Sequence, residues 1–334
     1  MNKKWLISLV LLIIMTGCGT KITLKPPVDD QTTATVEVNE GGMEVDYEDE
    51  TEYLDFEGVL EETTEETADD TGKDEQPEST RPNQEVVESD IVGYHDLIVD
   101  LSDKSIDVDI TDPRLSDLVK HLKTNPYNYT LKQIGKVTQP DHLFALVNKL
   151  NQLPESYIPN DLREPQVRFS FSGPDEKRNL RDVAASGLET MFEAADTASI
   201  QLFALSGYRS YNRQRDIYNN NVSTRGVEAT DKVSARPGHS EHQSGLAMDI
   251  TSASAGFDLI YAFGETEEGI WVQDHAHLYG FIVRYGKDKT PITGYDYEPW
   301  HLRYVGLDLA SYIYEHQITL EELYINVEKA INLQ

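Results

Sequence analysis

Between Asp29 and Asp90 the chain carries 24 acidic residues against two basic ones, Lys73 and Arg81. A stretch so charged and so poor in large apolar side chains cannot bury enough surface to offset its chain entropy, so it is expected to stay disordered. About 22 of the 30 net negative charges lie there, and the rest of the 334 residues is only mildly acidic. Foldable sequence therefore has to begin near Ile91. The length that remains, with an apolar fraction of 39% over the whole chain, suffices for one sizeable core. The charge balance weighs against nucleic-acid binding, because a phosphate backbone demands a basic face.

Ahead of the acidic stretch, Lys3 and Lys4 precede an apolar run from Trp5 to Met15, then Thr16, Gly17 and the sole cysteine, Cys18. The run is short for a bilayer span and reads as an export signal over residues 1–17. Its end, Met-Thr-Gly-Cys, resembles a bacterial lipobox. That resemblance implies cleavage before Cys18, acylation of the cysteine and a lipid anchor on the outer face of the bacterial cell membrane. The alternative is an ordinary secretory signal or an uncleaved anchor. Residues 18–90 would then form an acidic tether, either a spacer or solubilising filler. A single cysteine excludes an internal disulfide framework and an all-cysteine zinc site, which leaves nine histidines as the metal-capable inventory.

Residues 91–140 read as an N-terminal extension packed on the main domain. "HDLIVDLSDKSIDVDI" alternates like strand material, "RLSDLVKHLK" has helical spacing and "NPYNYT" reads as a turn. From residue 141 to 334 runs the domain that carries the chemistry. Leu180, Val183, Leu188, Met191 and Phe192 recur at helical spacing, "IQLFALSG" reads as a strand and "SYNRQRDIYNNNV" as a second helix. "GLAMDIT", "FIVRY" and "WHLRYVG" read as further strands. Thr266 and Gly280 punctuate a helix between them, and two helices close the chain. Strands and helices intermix without regular alternation or a Gly-rich nucleotide fingerprint. The fold class expected is α+β, with mixed helices around a small, mainly antiparallel sheet that holds a zinc site.

Three clusters carry the candidate chemistry. "RPGHSEHQSGLAMDI" supplies His239, His242 and Asp249, "YEPWHLRYVG" supplies Glu298 and His301, and "SGYRS" supplies Arg209. Two imidazoles and a carboxylate suit zinc, and three protein ligands leave a fourth position for water. His242, Asp249 and His301 make such a set, and Glu298 is left over as a base. Glu298 and His301 are three apart, so in a regular strand they face opposite ways. Pro299 between them suggests that Glu298 sits on an irregular lead-in before the strand proper.

These motifs, in this order, resemble the VanY-type D-alanyl-D-alanine carboxypeptidases and their L,D-carboxypeptidase relatives, zinc peptidases that trim peptidoglycan stem peptides. The likeness extends upstream through "LVNKLNQLP", "PQVRFSF" and "EKRNLRDVAASGLETMF", covering roughly Leu146 to Gly306. It implies one zinc ion per chain on His242, Asp249 and His301, with Glu298 as catalytic base. Arg209 and Ser240 fall at substrate-contact positions. Arg209 could pair with a substrate carboxylate or with a developing oxyanion, because a guanidinium offers a planar fork of donors. Ser240 could donate to substrate oxygens or merely stabilise the turn after Gly238. The activity implied first is removal of the terminal D-alanine from D-alanyl-D-alanine. The alternatives are L,D cleavage of a tetrapeptide stem, or a non-catalytic lipoprotein that binds wall peptides. A monomer is expected, with stem peptides as partners.

The remaining histidines and aromatic residues read more simply. His239 is expected to pack the loop or to orient a ligand, whereas His95, His121, His142, His275 and His277 are expected to be structural. Trp271, Tyr279, Trp300 and Tyr304 read as core, with Trp300 also placed to wall a cleft; Tyr208 and Tyr211 flank Arg209 and read as packing.

Overall fold

The computed structural model describes residue 101 and residues 105–333, together with three short strands near the N-terminus. The export signal, Cys18, His95 and most of the acidic stretch lie outside the described residues. By its contacts the chain divides into Met1–Ser79 and Thr80–Gln334, taken here in turn.

In the first unit, β1 (Lys21–Leu24), β2 (Thr33–Asn39) and β3 (Gly42–Glu48) pair antiparallel in the order β1-β2-β3. These strands fall in the stretch expected to be disordered. The physical reason is a period-two alternation hidden in a polar composition: the register sets Ala34 opposite Tyr47, Val36 opposite Val45 and Val38 opposite Met43. The pairing of β2 and β3 closes with Asn39 opposite Gly42.

The second unit is built on a four-stranded sheet of β4 (Phe203–Ser206), β5 (Ala247–Thr251), β6 (Phe281–Tyr285) and β7 (Glu298–Tyr304). The order is β6-β7-β5-β4 and every pairing is antiparallel, as the α+β reading anticipates. Side chains alternate across a strand, so Met248, Ile250, Phe281 and Leu302 share one face while Asp249, Arg284, His301 and Arg303 share the other.

The apolar face packs against α2 (Asp182–Thr197), whose Ala184, Ala185, Leu188, Met191, Phe192 and Ala195 recur every three or four residues and are buried. Each fully buried large side chain here contributes about 1.5–3 kcal/mol through burial. Val183, expected on that stripe, is 45% exposed. The buried stripe instead begins at Ala184 and uses small residues that let helix and sheet approach closely. A second cluster joins Leu115, Leu118 and Leu122, at and in α1 (Ser116–Leu122), to Ile282 and to two C-terminal helices. These are α5 (Leu307–His316) and α6 (Leu320–Asn332). Residues 105–109, within the run that alternates like a strand, are not in a strand. Ile106 N donates to Asn326 Oδ1 of α6 at 3.0 Å instead.

Two further helices complete the unit's framework. α3 (Tyr211–Arg225) is capped by Ser210, and α4 (Glu267–His275) by Thr266, whose hydroxyl accepts from Gly269 N. A 3₁₀ turn extends α4 to Gly280, which takes φ 83° as the closing residue. Among the described residues no helix is long and apolar enough to cross a membrane.

Candidate metal centre

The site forms where β5 and β7 pair. Their register places His301 directly opposite Asp249, so the two side chains emerge as cross-strand neighbours on the polar face of the sheet. His242 arrives from a 3₁₀ turn, Glu241–Ser244, that ends at Gly245 (φ 67°), a left-handed conformation glycine adopts without steric cost, before β5 begins. His242, Asp249 and His301 each offer one ligand atom, and these atoms lie within 4.8 Å of one another. All three residues are buried.

Their hydrogen bonds settle which atoms face inward. His242 Nδ1 lies 2.8 Å from the Gly207 carbonyl oxygen, so its Nε2 points at Asp249 Oδ2, 3.3 Å away. His301 Nδ1 lies 2.9 Å from Asp249 Oδ1, while its Nε2 faces Glu241 Oε2 at 3.4 Å. Each imidazole thus aims one nitrogen at the shared carboxylate and has its other nitrogen engaged by a protein acceptor, the arrangement usual for a metal-ligating histidine. The donor set and its convergence fit a zinc-type ion.

Glu298 reaches the same spot. Its Oε2 is 3.9 Å from His301 Nδ1, although the two residues are three apart on one strand. Glu298 is the first residue of β7 rather than an irregular lead-in, and a bulge resolves the geometry. Val283 pairs with Leu302 and Tyr285 with Glu298, so two steps on β6 span four on β7. The extra backbone turns Glu298 toward the ligands. Burial pushes its carboxyl up to about 8 against the pull of His301, and the Asp249 charge adds to the rise. Burial also opposes ionisation of Asp249, yet the charge and hydrogen bonds of His242 and His301 hold its carboxyl well below the usual range. Burial lowers His242, whereas His301 is raised to about 9 because hydrogen bonds to Asp249 and Glu241 outweigh burial.

Arg209 follows β4, whose end lies beside the site because Ser206 pairs with Asp249. Its backbone N donates to the His242 carbonyl at 3.2 Å, and its guanidinium is aimed by Gln214 Oε1 (2.8 Å) and Ser206 Oγ (3.2 Å). It is drawn electrostatically to Asp249 and Glu298. Ser240 is buried and opens the 3₁₀ turn without a side-chain cap, so capping is not its use.

Among the described residues, the other histidines serve packing. His239 is buried with Nδ1 2.8 Å from the Asn148 carbonyl, and burial lowers it to about 4. His275 stacks on Trp271, His277 on Tyr314 and His121 on His142. Trp300 lies on the apolar face of β7 and stacks on Tyr261.

Sequence reasoning missed several buried charged residues, Glu241 and Lys149 among them. Glu241 lies inside the histidine motif and touches His301. Lys149 donates to the Asp231 carbonyl beneath the Tyr295 ring and is lowered to about 7 by burial. The available signal for Glu241 was an acidic residue between the two histidines of the motif, which is costly to bury unless partnered.

Comparison with known proteins agrees with this geometry. The VanY family model, described as D-alanyl-D-alanine carboxypeptidase, matches residues 177–307. The Bacillus subtilis protein YodJ, a provisionally assigned carboxypeptidase, is 52% identical over 193 residues, covering 58% of this chain and 71% of its own length. A D-alanyl-D-alanine carboxypeptidase of Enterococcus faecalis is 34% identical over 193 residues, covering 55% of this chain and 66% of its own. Among solved structures, the LdcB LD-carboxypeptidase, described for its peptidoglycan recognition, is 50% identical with a TM-score of 0.57. That match covers 60% of this chain and 92% of the other.

Proposed function

The chain belongs to the VanY family of carboxypeptidases, and from that premise we propose that it is a zinc-dependent enzyme that removes the C-terminal D-alanine from peptidoglycan stem peptides. The observation that carries this reading is the convergence of His242, Asp249 and His301 on one point, with the raised carboxyl of Glu298 3.9 Å from His301. Zinc bound by this set supplies Lewis acidity, drawing the pKa of water toward neutrality and polarising a carbonyl.

The protein's own groups do the rest. Glu298 takes the proton of the attacking water and returns it to the leaving amine, a task suited to a carboxyl held near neutral pH by burial. Arg209, locked by Ser206 and Gln214, presents its remaining donors to the substrate's terminal carboxylate, from which a requirement for a free C-terminus would follow. Ser240, its hydroxyl not used as a cap, can donate to a substrate oxygen. The site's burial keeps bulk water from these charges and so strengthens them.

Two bonds compete as the target. The 50% identity with the LdcB LD-carboxypeptidase, over nearly all of that chain, favours the L,D bond of a tetrapeptide stem. The D,D bond, first choice on the motifs alone, is supported by the family description and by the relative at 34% identity. Mass spectrometry of muropeptides after incubation separates them. L,D activity shortens tetrapeptide to tripeptide and leaves pentapeptide intact, whereas shortening of pentapeptide alone overturns the choice. The lipobox-like run ending at Cys18 supports an anchored position outside the cell membrane. Radiolabelled fatty acid retained by wild type and lost by Cys18→Ala would test it.

A further inference from the structure

Lys149 is 1% exposed, and burying an ammonium is costly unless its surroundings offset the charge. Its nitrogen donates to the carbonyl of Asp231, in the short helix Val227–Val233, and lies 3.7 Å from the centroid of the Tyr295 ring. A cation over an aromatic face is attracted by the ring's negative quadrupole, most strongly where water is excluded. Burial lowers the ammonium to about 7 with help from Arg236, while Asp231, Glu298 and Asp296 favour the charged form. The backbone around Lys149 is held without this side chain. Leu150 N donates to Asn148 Oδ1 at 3.0 Å, and Leu153 N donates to the Gly238 carbonyl at 2.8 Å. The use of the ammonium is therefore to be sought in what it touches.

Tyr295 stands three residues before Glu298, in the segment that leads into β7. Its ring packs on that of Tyr285, 4.7 Å between centroids, and Tyr285 is the residue paired with Glu298 across the strands. The ring thus touches both the Lys149 ammonium and the cross-strand neighbour of Glu298. Tyr295 is buried, and its hydroxyl has no hydrogen-bond partner among the described residues, although buried hydroxyls are nearly always partnered. Burial keeps that hydroxyl protonated, and Glu298 is foremost among the charges that add to the effect. A protonated phenol can donate, and an ionised carboxylate offers only acceptors. We propose that Lys149 is a positioning residue for Glu298: seated on the Tyr295 ring, it holds that ring so that the hydroxyl donates to the ionised Glu298 carboxylate and fixes its direction for proton transfer. This rests on the role of Glu298 as base in the reaction proposed above.

Two measurements on the full, zinc-loaded chain test it. Steady-state kinetics use whichever stem peptide the wild type shortens. Lys149→Met keeps the length of the side chain and Tyr295→Phe keeps the ring. Each should lower kcat about 10-fold, while KM and the zinc affinity from chelator competition stay within about twofold. The double variant should lose no more than the worse single one, because the hydroxyl acts only on a ring the ammonium holds. A kcat within about twofold of wild type in either single variant, or losses that multiply in the double, overturns the proposal. In protein labelled with ¹³Cδ-glutamate, the Glu298 carboxyl signal, assigned by its loss in Glu298→Gln, should move in the same direction in both single variants. A signal unmoved in Tyr295→Phe overturns the proposal even where Lys149→Met does not fold. Wild type that shortens no muropeptide would instead sink the peptidase reading itself, while the carboxyl signal still decides the contact.

Discussion

Gly207 is where backbone and ligand geometry meet, and Gly207→Ala is a demanding substitution because a side chain there strikes backbone. A Cβ built there lies 2.4 Å from the Asn179 carbonyl oxygen, 2.9 Å from Met248 Cε and 3.0 Å from the Lys177 carbonyl oxygen. The methionine can move, but the two backbone oxygens are held by Gly207 N (to Lys177, 2.6 Å) and Tyr208 N (to Asn179, 2.7 Å). Relieving the clash means moving one segment by roughly 1 Å, which breaks or lengthens both bonds at about 1 kcal/mol each and adds overpacking strain of about 1–3 kcal/mol. The total, about 3–5 kcal/mol, corresponds to a fall in Tm on the order of 10 °C for a domain of this size. The same shift displaces the Gly207 carbonyl that fixes His242 Nδ1, so zinc affinity should drop about tenfold as well. Thermal unfolding by circular dichroism and chelator competition measure the two effects. A Tm within about 1 °C of wild type and an unchanged zinc affinity would refute the reasoning.

Three other perturbations have defined outcomes. Glu298→Gln keeps the size and most contacts of the side chain but removes the base, so kcat should fall by about 10²–10⁴-fold while zinc binding and Tm hold; retained turnover on muropeptides would exclude Glu298 as base. Arg209→Lys keeps the charge and loses the fork set by Ser206 and Gln214, so kcat/KM should drop roughly 10- to 100-fold, with amidated peptides, which lack the carboxylate, equally poor for both proteins. Burial, reinforced by the stacked His142, lowers His121 from 6.5 to about 4. Because the unfolded chain takes up that proton first, stability is retained above pH 6.5 and falls as the pH drops from 6.5 toward 4. After allowance for solvent screening the loss is about 1–2 kcal/mol, absent in His121→Gln; parallel urea-unfolding profiles for the two proteins would contradict it.

The motif strings made much of the site legible before any coordinates. Period-two strands around Asp249 and His301 needed only to pair in register to bring the ligands together, and Thr266, Gly280 and the helical stripe of α2 were readable from local rules. What stayed hidden is non-local or geometric. The bulge that swings Glu298 beside His301 arises from pairing with β6 and has no signature beyond Pro299. The ion pairs that join Glu241, Arg284, Arg303 and Glu321 link residues 37 to 62 apart, so their mutual neutralisation cannot be read from spacing. The alternation in β2 and β3 was masked by the acidic composition of the longer stretch around them.

The decisive measurement is mass spectrometry of tetrapeptide muropeptides incubated with the protein as purified, after its metal has been stripped by chelator, and after zinc alone is restored. Loss of one alanine in the first and third samples, with none in the second, is the predicted pattern. Shortening that persists in protein shown to be metal-free would contradict the central role given to His242, Asp249 and His301.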